Sequence, residues 1–259
     1  MSTPNLPVPE SHSEGQVQPP PQPTISPVGR ILGMFFSPKA TFEDIAKAPS
    51  WIAPLAVIVI LATVGVVALN SHFDWRSYIA QQIEKSPRAA NLSAEQKQQQ
   101  IDGGAKFAPV MAYAFGIPVP AVMLLLVALV YWGAYNVMAG TGATFSQSFA
   151  IITHAWIPIS IVGTLIFLLV LFIKPVGTFD LDNPVATNLA VILPEDASKW
   201  LVGLCKNIDL FEIWKLILVG MGFAAVNPRK LKGGKSYTIA FSVFIAYVVC
   251  RTAIAFVFS

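Results

Sequence analysis

Apolar residues in this chain come in long runs separated by short polar intervals. Five stretches, at 52–71, 109–138, 146–173, 210–226 and 236–258, are long and apolar enough to cross a hydrocarbon core of roughly 30 Å. The fourth is short, at 17 residues, and Asp209, Glu212 and Lys215 crowd its start. Ahead of the first run, residues 28–50 change period. Val28, Ile31, Leu32, Phe35 and Phe36 fall largely on one helical face. Ser37-Pro38 then marks a new helix start, with Ser as N-cap and Pro in the first turn. Phe42 and Ile45 take one side of this second helix, and Glu43, Asp44 and Lys47 the other. Helices of this kind are expected at a membrane interface. The pattern therefore predicts an all-α fold: a polytopic bundle of five transmembrane helices with short interfacial amphipathic helices at the N-terminus.

Prolines punctuate the pattern. Pro118 and Pro120, in "GIPVP", should break or kink the second span, and Pro158 the third, four residues after His154. The polar loop at 72–108 should be partly helical, broken at Pro87, with Ser93 and Gln96 forming a capping box.

Composition turns the pattern into a class. Apolar residues make up 54% and charged residues 12%, against about 25% charged in a typical soluble domain. The mean hydropathy is +0.62. The bilayer is the first partner this implies. A net charge of +3 gives no case for nucleic acid. Residues 1–27 hold eight prolines and no Lys or Arg, so they read as a disordered tail and not as a secretory signal. The expected organisation is a tail at 1–27, an amphipathic segment at 28–50 and a transmembrane domain at 51–259. Orientation follows from "NPRKLKGGK", which packs Arg229, Lys230, Lys232 and Lys235 into nine residues. So dense a basic loop is expected in the cytoplasm, which puts the N-terminus inside and the C-terminus outside. The 72–108 loop opposes this with five cations, spread over 37 residues.

No motif carries catalysis. "GGKS" at 233–236 would need a glycine at position 229 to form a phosphate loop, and Arg229 stands there. "DLDN" at 180–183 begins like a calcium loop, but Pro184 interrupts it. Cys205 and Cys250 show no metal or redox spacing. His154 could be set against Ser146, Ser148 or Ser160. Ser160 lies on the opposite helical face, however, and Ser146 about 12 Å away along the axis. A hydrogen-bonded imidazole inside the bundle is the favoured reading. No enzyme, cofactor or metal site is expected. A small transporter or channel component is the rival reading, because broken helices are where transporters bind substrates.

The charges around the fourth span have local roles. Asp209 and Glu212 are spaced as an N-cap and its N3 partner, Trp214 suits the aromatic belt, and Lys215 can snorkel outward. Arg251 lies inside the fifth span. If the nine-residue loop is a symmetric turn, Arg251 comes level with Phe211, within reach of Glu212 and Asp209. An ion pair there, with Glu212 the preferred partner, is expected; the alternative is that Arg251 snorkels to the head groups.

Three segments carry a family resemblance. "FFSPKATFEDIAKAPSWIAPL", "GTGATFSQSFAIITHAWIP" and "IDLFEIWKLILVGMGFAAV" resemble, in order, conserved segments of bacterial Yip1-family membrane proteins. The resemblance spans residues 30 to 258. It implies five membrane-spanning helices and a cytoplasmic N-terminus, in the inner membrane if the protein is bacterial. Eukaryotic members of the family act in vesicle traffic and bind small Rab-type GTPases; their N-terminal "DLYGP"-type motif is missing here. The resemblance brings no catalytic residue. It implies a non-enzymatic integral membrane protein that organises membrane or membrane-protein partners.

Overall fold

A computed structural model describes residues 22–175, 179, 181, 183–185, 187–194 and 196–257. Most of the proposed tail (1–21) and the acidic pair Asp180 and Asp182 lie outside the described residues. Ten α-helices follow in order: α1 Pro27–Phe36, α2 Pro38–Lys47, α3 Ile52–His72, α4 Trp75–Lys85, α5 Ala94–Gly116, α6 Pro118–Ala139, α7 Phe145–Ile173, α8 Lys199–Asn207, α9 Leu210–Val226 and α10 Lys235–Val257. Short 3₁₀ turns occur at Pro87–Asn91 and Leu189–Ile192. Among the described residues the chain is an all-α membrane bundle. Four stretches are long and apolar enough to cross a bilayer: Ile52–His72, Ala94–Ala139, Phe145–Ile173 and Lys235–Ile254. The expected fifth, α9, has 17 residues. At about 25 Å it falls a little short of the hydrocarbon core.

The 46-residue Ala94–Ala139 stretch is two helices. Only Ile117 separates α5 from α6, and Pro118 opens the new helix. Pro120 sits in the same first turn, where backbone N–H groups have no intrahelical acceptor to lose. These two prolines break the chain as expected. Pro158 does not. Helix α7 runs unbroken from Phe145 to Ile173 with Pro158 inside it. Its cost is one missing hydrogen bond, to the carbonyl of His154, and both Ile157 and Pro158 are buried. The loop at 72–108 folds into α4 and α5, and the Ser93–Gln96 capping box is formed.

Helix α9, packed against α2, α7 and α10, is one of two hubs of the bundle; the other is α7, which meets α1, α2, α3, α6 and α9. Two glycines make the close approach possible. A Cβ on Gly222 would lie 2.5 Å from Ile151 Cγ2 of α7 and 3.0 Å from the Phe42 ring of α2. A Cβ on Gly220 would lie 2.5 Å from Tyr237 of α10. Small residues play this part at membrane helix contacts generally, because apolar surface alone gives helices in lipid little reason to associate. Beside Gly222, the rings of Phe223 and Tyr135 stack at 3.8 Å. The Tyr135 hydroxyl donates to the Ser236 carbonyl at 2.6 Å, and Ser236 Oγ donates to the Gly220 carbonyl at 2.5 Å. One buried polar knot thus ties α6, α9 and α10 together.

The N-terminal pair α1–α2 is seated along α9. Gln147 Nε2, at the start of α7, donates to the Ala46 carbonyl at 2.8 Å. Phe42 meets Gly222, and Phe35 makes an edge contact with Trp214 at 6.2 Å. From Ala46 through Phe42 to Phe35, the contacts climb from the end of the bundle toward the far third of α9. Val28, Leu32 and Phe36 are turned outward and exposed, while Met34, Phe42 and Ile45 are buried. The apolar stripe of α1 is therefore divided: Val28, Leu32 and Phe36 face outward, while Ile31 and Phe35 pack toward the bundle with Arg30 and Met34.

Replacing Gly222 by Ala should destabilise the bundle by about 1–3 kcal/mol, the usual cost of overpacking. Gly163→Ala, where a Cβ meets nothing within 4 Å, is the control. Unfolding in mixed micelles followed by Trp fluorescence measures both, and equal effects would show that the α2–α7–α9 contact is not tight.

Candidate functional site

Two constellations of charged side chains lie inside the bundle. The first joins α1 and α2. Arg30, the only charged residue of α1, is 1% exposed, and Asp44, on the inward side of α2, is 5% exposed. Arg30 Nη2 lies 2.6 Å from Asp44 Oδ2, and Nε donates to the same oxygen at 2.8 Å, a fork that suits a guanidinium. Arg30 Nη1 also donates to Ser50 Oγ at 3.1 Å. The second carboxylate oxygen, Asp44 Oδ1, accepts from the Thr24 backbone at 2.9 Å and from the Thr24 hydroxyl at 2.5 Å. The Ile25 N–H reaches Oδ2 at 3.3 Å. Burial works against ionising Asp44, but the hydrogen bonds from Thr24 and then from Arg30 outweigh it, and its pKa falls from 3.8 to about 2.

Asp44 is thus not on the solvent side of its helix with Glu43 and Lys47, as the periodicity suggests. Nor does the packed structure begin after residue 27. Thr24 and Ile25 are bonded into this cluster, and Ser26 caps α1 through a bond from the Gly29 N–H. One signal was available: a lone cation in an apolar helix, followed 14 residues later by an acid beside Phe42 and Ile45.

His154 is buried in α7, and its Nδ1 lies 2.7 Å from the Ala150 carbonyl of its own helix, which the Nδ1–H tautomer satisfies. The nearby Ser148 hydroxyl donates to the Ala128 carbonyl at 2.7 Å, which occupies its proton away from the imidazole. No serine–histidine pair forms among the described residues.

The second constellation surrounds the start of α9. Asp209 caps the helix through the Phe211 N–H at 2.7 Å and accepts from the Thr187 hydroxyl at 2.5 Å. Glu212 does not close a capping box. It turns along the helix and accepts from Lys215 Nζ. Lys215 does not snorkel outward; its ammonium lies 4.3 Å from the centre of the Trp156 ring, and the side chain is 13% exposed. The expected pairing of Arg251 with Glu212 or Asp209 is not made. Arg251 Nη1 donates to Asn207 Oδ1 of α8 at 3.1 Å. The reason is register. Ser236 faces Gly220 and Arg251 faces Asn207, so α10 is displaced by four to six residues from the symmetric turn. The basic loop is not symmetric: a run of turns at 228–234, with Leu231 buried and Gly233 and Gly234 at positive φ, precedes α10.

Glu212 and Lys215 border a cavity of about 350 Å³ between α6, α7, α9 and α10. Its other walls are nearly all apolar, from Met123 through Val130 on α6 to Val243, Phe244 and Tyr247 on α10. Cys205 and Cys250 are both free thiols. No group of three or more metal-ligating side chains occurs among the described residues.

Residues 32–251 fit the model of the Yip1 domain. No curated protein and no solved structure matches the chain. The three segments that carry the resemblance supply Phe42, Ile151 and Gly222, which meet at one point beside α9.

Two measurements test these sites. Asp44 has a depressed pKa when folded, so its contribution is complete above about pH 4 and is lost as the pH falls toward 2. Wild-type stability should decline by about 2 kcal/mol across that window from this group, while Asp44→Asn should start about 3–5 kcal/mol lower and lack that component. Acid titration with chemical unfolding in micelles reads both. In double-mutant cycles, Arg251→Leu should couple to Asn207→Leu and be additive with Glu212→Leu; coupling to Glu212 instead would contradict the register described here.

Proposed function

The chain belongs to the Yip1 domain family, and we propose that it is a non-enzymatic multi-pass membrane protein that organises membrane or membrane-protein partners. The observation that carries this reading is an interior whose buried polar side chains are satisfied. Among the described residues, Thr252 Oγ1 is the one buried side-chain N or O atom without a hydrogen-bond partner. A transporter needs a polar route from the middle of the membrane to one face, and its substrate groups require unpaired polar partners. The break at Ile117, where the rival reading would place a substrate, borders a cavity of about 310 Å³ whose walls carry Thr164 as their one polar side chain and no charged one.

The same reading includes α9 as a fifth span, a cytoplasmic N-terminus and an external C-terminus. Asn227 Nδ2 donates to the Thr141 carbonyl at 3.0 Å, and Lys230 Nζ donates to the Gly140 carbonyl. The basic α9–α10 loop and the α6–α7 loop therefore share one end of the bundle. The neck of the α1–α2 pair joins the same end through Gln147. A cytoplasmic basic loop brings the N-terminus with it. The exposed face of α2, with Lys39, Glu43 and Lys47, is presented there for partners. Within the family resemblance, small GTPases are one candidate class and integral membrane proteins another.

Three experiments test the topology and the role. In a background with Cys205→Ser and Cys250→Ser, an impermeant thiol reagent should label Ala90→Cys in intact cells and Lys232→Cys only after permeabilisation. The reverse result would invert the topology. Reconstituted vesicles should show no solute flux above protein-free controls, and cross-linking in native membranes should recover recurring partners that are lost when Lys39 and Lys47 are changed to Glu. Saturable flux of one solute would replace this reading with the transporter.

A further inference from the structure

We propose that the cavity between α6, α7, α9 and α10 holds an acyl chain of a phospholipid whose head group carries a primary ammonium, with the phosphate on Lys215 and the ammonium on Glu212. The volume, about 350 Å³, lies in the range of small-molecule sites. The shape fits a chain. Met123, Leu126, Val127 and Val130 line one side of α6 over seven residues, about 10 Å along the helix axis. Val243, Phe244 and Tyr247 form the facing wall on α10.

The cavity is not sealed from its surroundings. Met123, Leu126, Val130 and Tyr247 are each about half exposed, and on membrane-spanning helices this surface meets lipid. Water gains nothing in an apolar trough, since a buried water needs two to four polar partners. Hydrocarbon from the adjoining leaflet is the natural occupant.

Charge identifies the head group. The charged residues among those lining the wall are Glu212 and Lys215, in the first two turns of α9. Each is only partly satisfied by the other: Lys215 Nζ donates to Glu212 Oε1, and among the described residues Oε2 accepts no hydrogen bond. Two ammonium protons of Lys215 also remain available, while the Trp156 face at 4.3 Å keeps the side chain turned inward. Hydrogen-bonding capacity left open on an ion pair that faces lipid is costly, and a zwitterion supplies a partner to each group. A primary ammonium can donate to Glu212; a trimethylammonium cannot, and an anionic glycerol head group would meet the carboxylate without a positive charge. The expected order is phosphatidylethanolamine, then phosphatidylcholine, then phosphatidylglycerol. The proposal goes beyond the organising role and needs only that these helices sit in a bilayer, so its failure leaves that role standing.

Native mass spectrometry of the full chain, released from micelles containing the three lipids in equal amounts, tests it. Wild type should retain one phosphatidylethanolamine in preference to the others. Glu212→Gln should lower that preference over phosphatidylglycerol about tenfold, the worth of one charge-assisted hydrogen bond. Lys215→Met should weaken retention of all three. Leu126→Trp, which fills the trough from its exposed side and leaves the ion pair intact, should abolish retention. Equal retention of the three lipids by wild type, or undiminished retention by Leu126→Trp, would overturn the proposal. Should Glu212→Gln fail to fold, those two results still decide.

Discussion

The missing side chain at Gly222 is the constraint on which the rest of the bundle depends. Because α9 is bare there, Phe42 of α2 and Ile151 of α7 come within contact of its backbone, and three helices share one point. Helices in lipid gain little from exchanging one apolar neighbour for another, so packing density has to supply the attraction. The second glycine, Gly220, lets Tyr237 of α10 approach from another side. A helix of only 17 residues can then serve as a hub. The family match reaches across all of the segments that meet here, as expected if this contact is the structural core of the domain.

Seating α2 on that point has an electrostatic consequence. It brings Asp44 to the inner side of the α1–α2 pair, where a lone carboxylate would be costly. Arg30 arrives from α1, and Thr24 and Ile25 complete the shell. A buried ion pair gives little net stabilisation over an apolar pair of the same shape, but breaking it is expensive. The geometry therefore fixes how α1 and α2 sit against each other, because few other arrangements would satisfy both charges.

At the opposite end of α9 the charges remain partly open. Asp209 is consumed in starting the helix, and Arg251 is held by Asn207 of the short outer helix α8. Glu212 and Lys215 face an apolar trough that meets lipid. One end of the hub is thus closed by its own polar groups, and the other offers a charge pair to the membrane.

Long apolar runs, proline positions and the Ser93–Gln96 cap were legible in one dimension, because each rests on local physics: a helix must hide its backbone in lipid, and a first-turn N–H needs a partner. The all-α class, four long spans and the break before Pro118 follow from that alone. The period of α2 also placed Phe42 and Ile45 correctly, but it set Asp44 on the wrong side, since a periodicity cannot tell that Arg30 waits 14 residues earlier with the fork to neutralise it. Pro158, buried inside α7, left the helix unbroken. The partner of Arg251 depended on a shift of four to six residues from the symmetric turn, set by a folded turn that loop length does not reveal. Side-chain pairing over long range is a matter of register and approach distance, and only tertiary packing determines those.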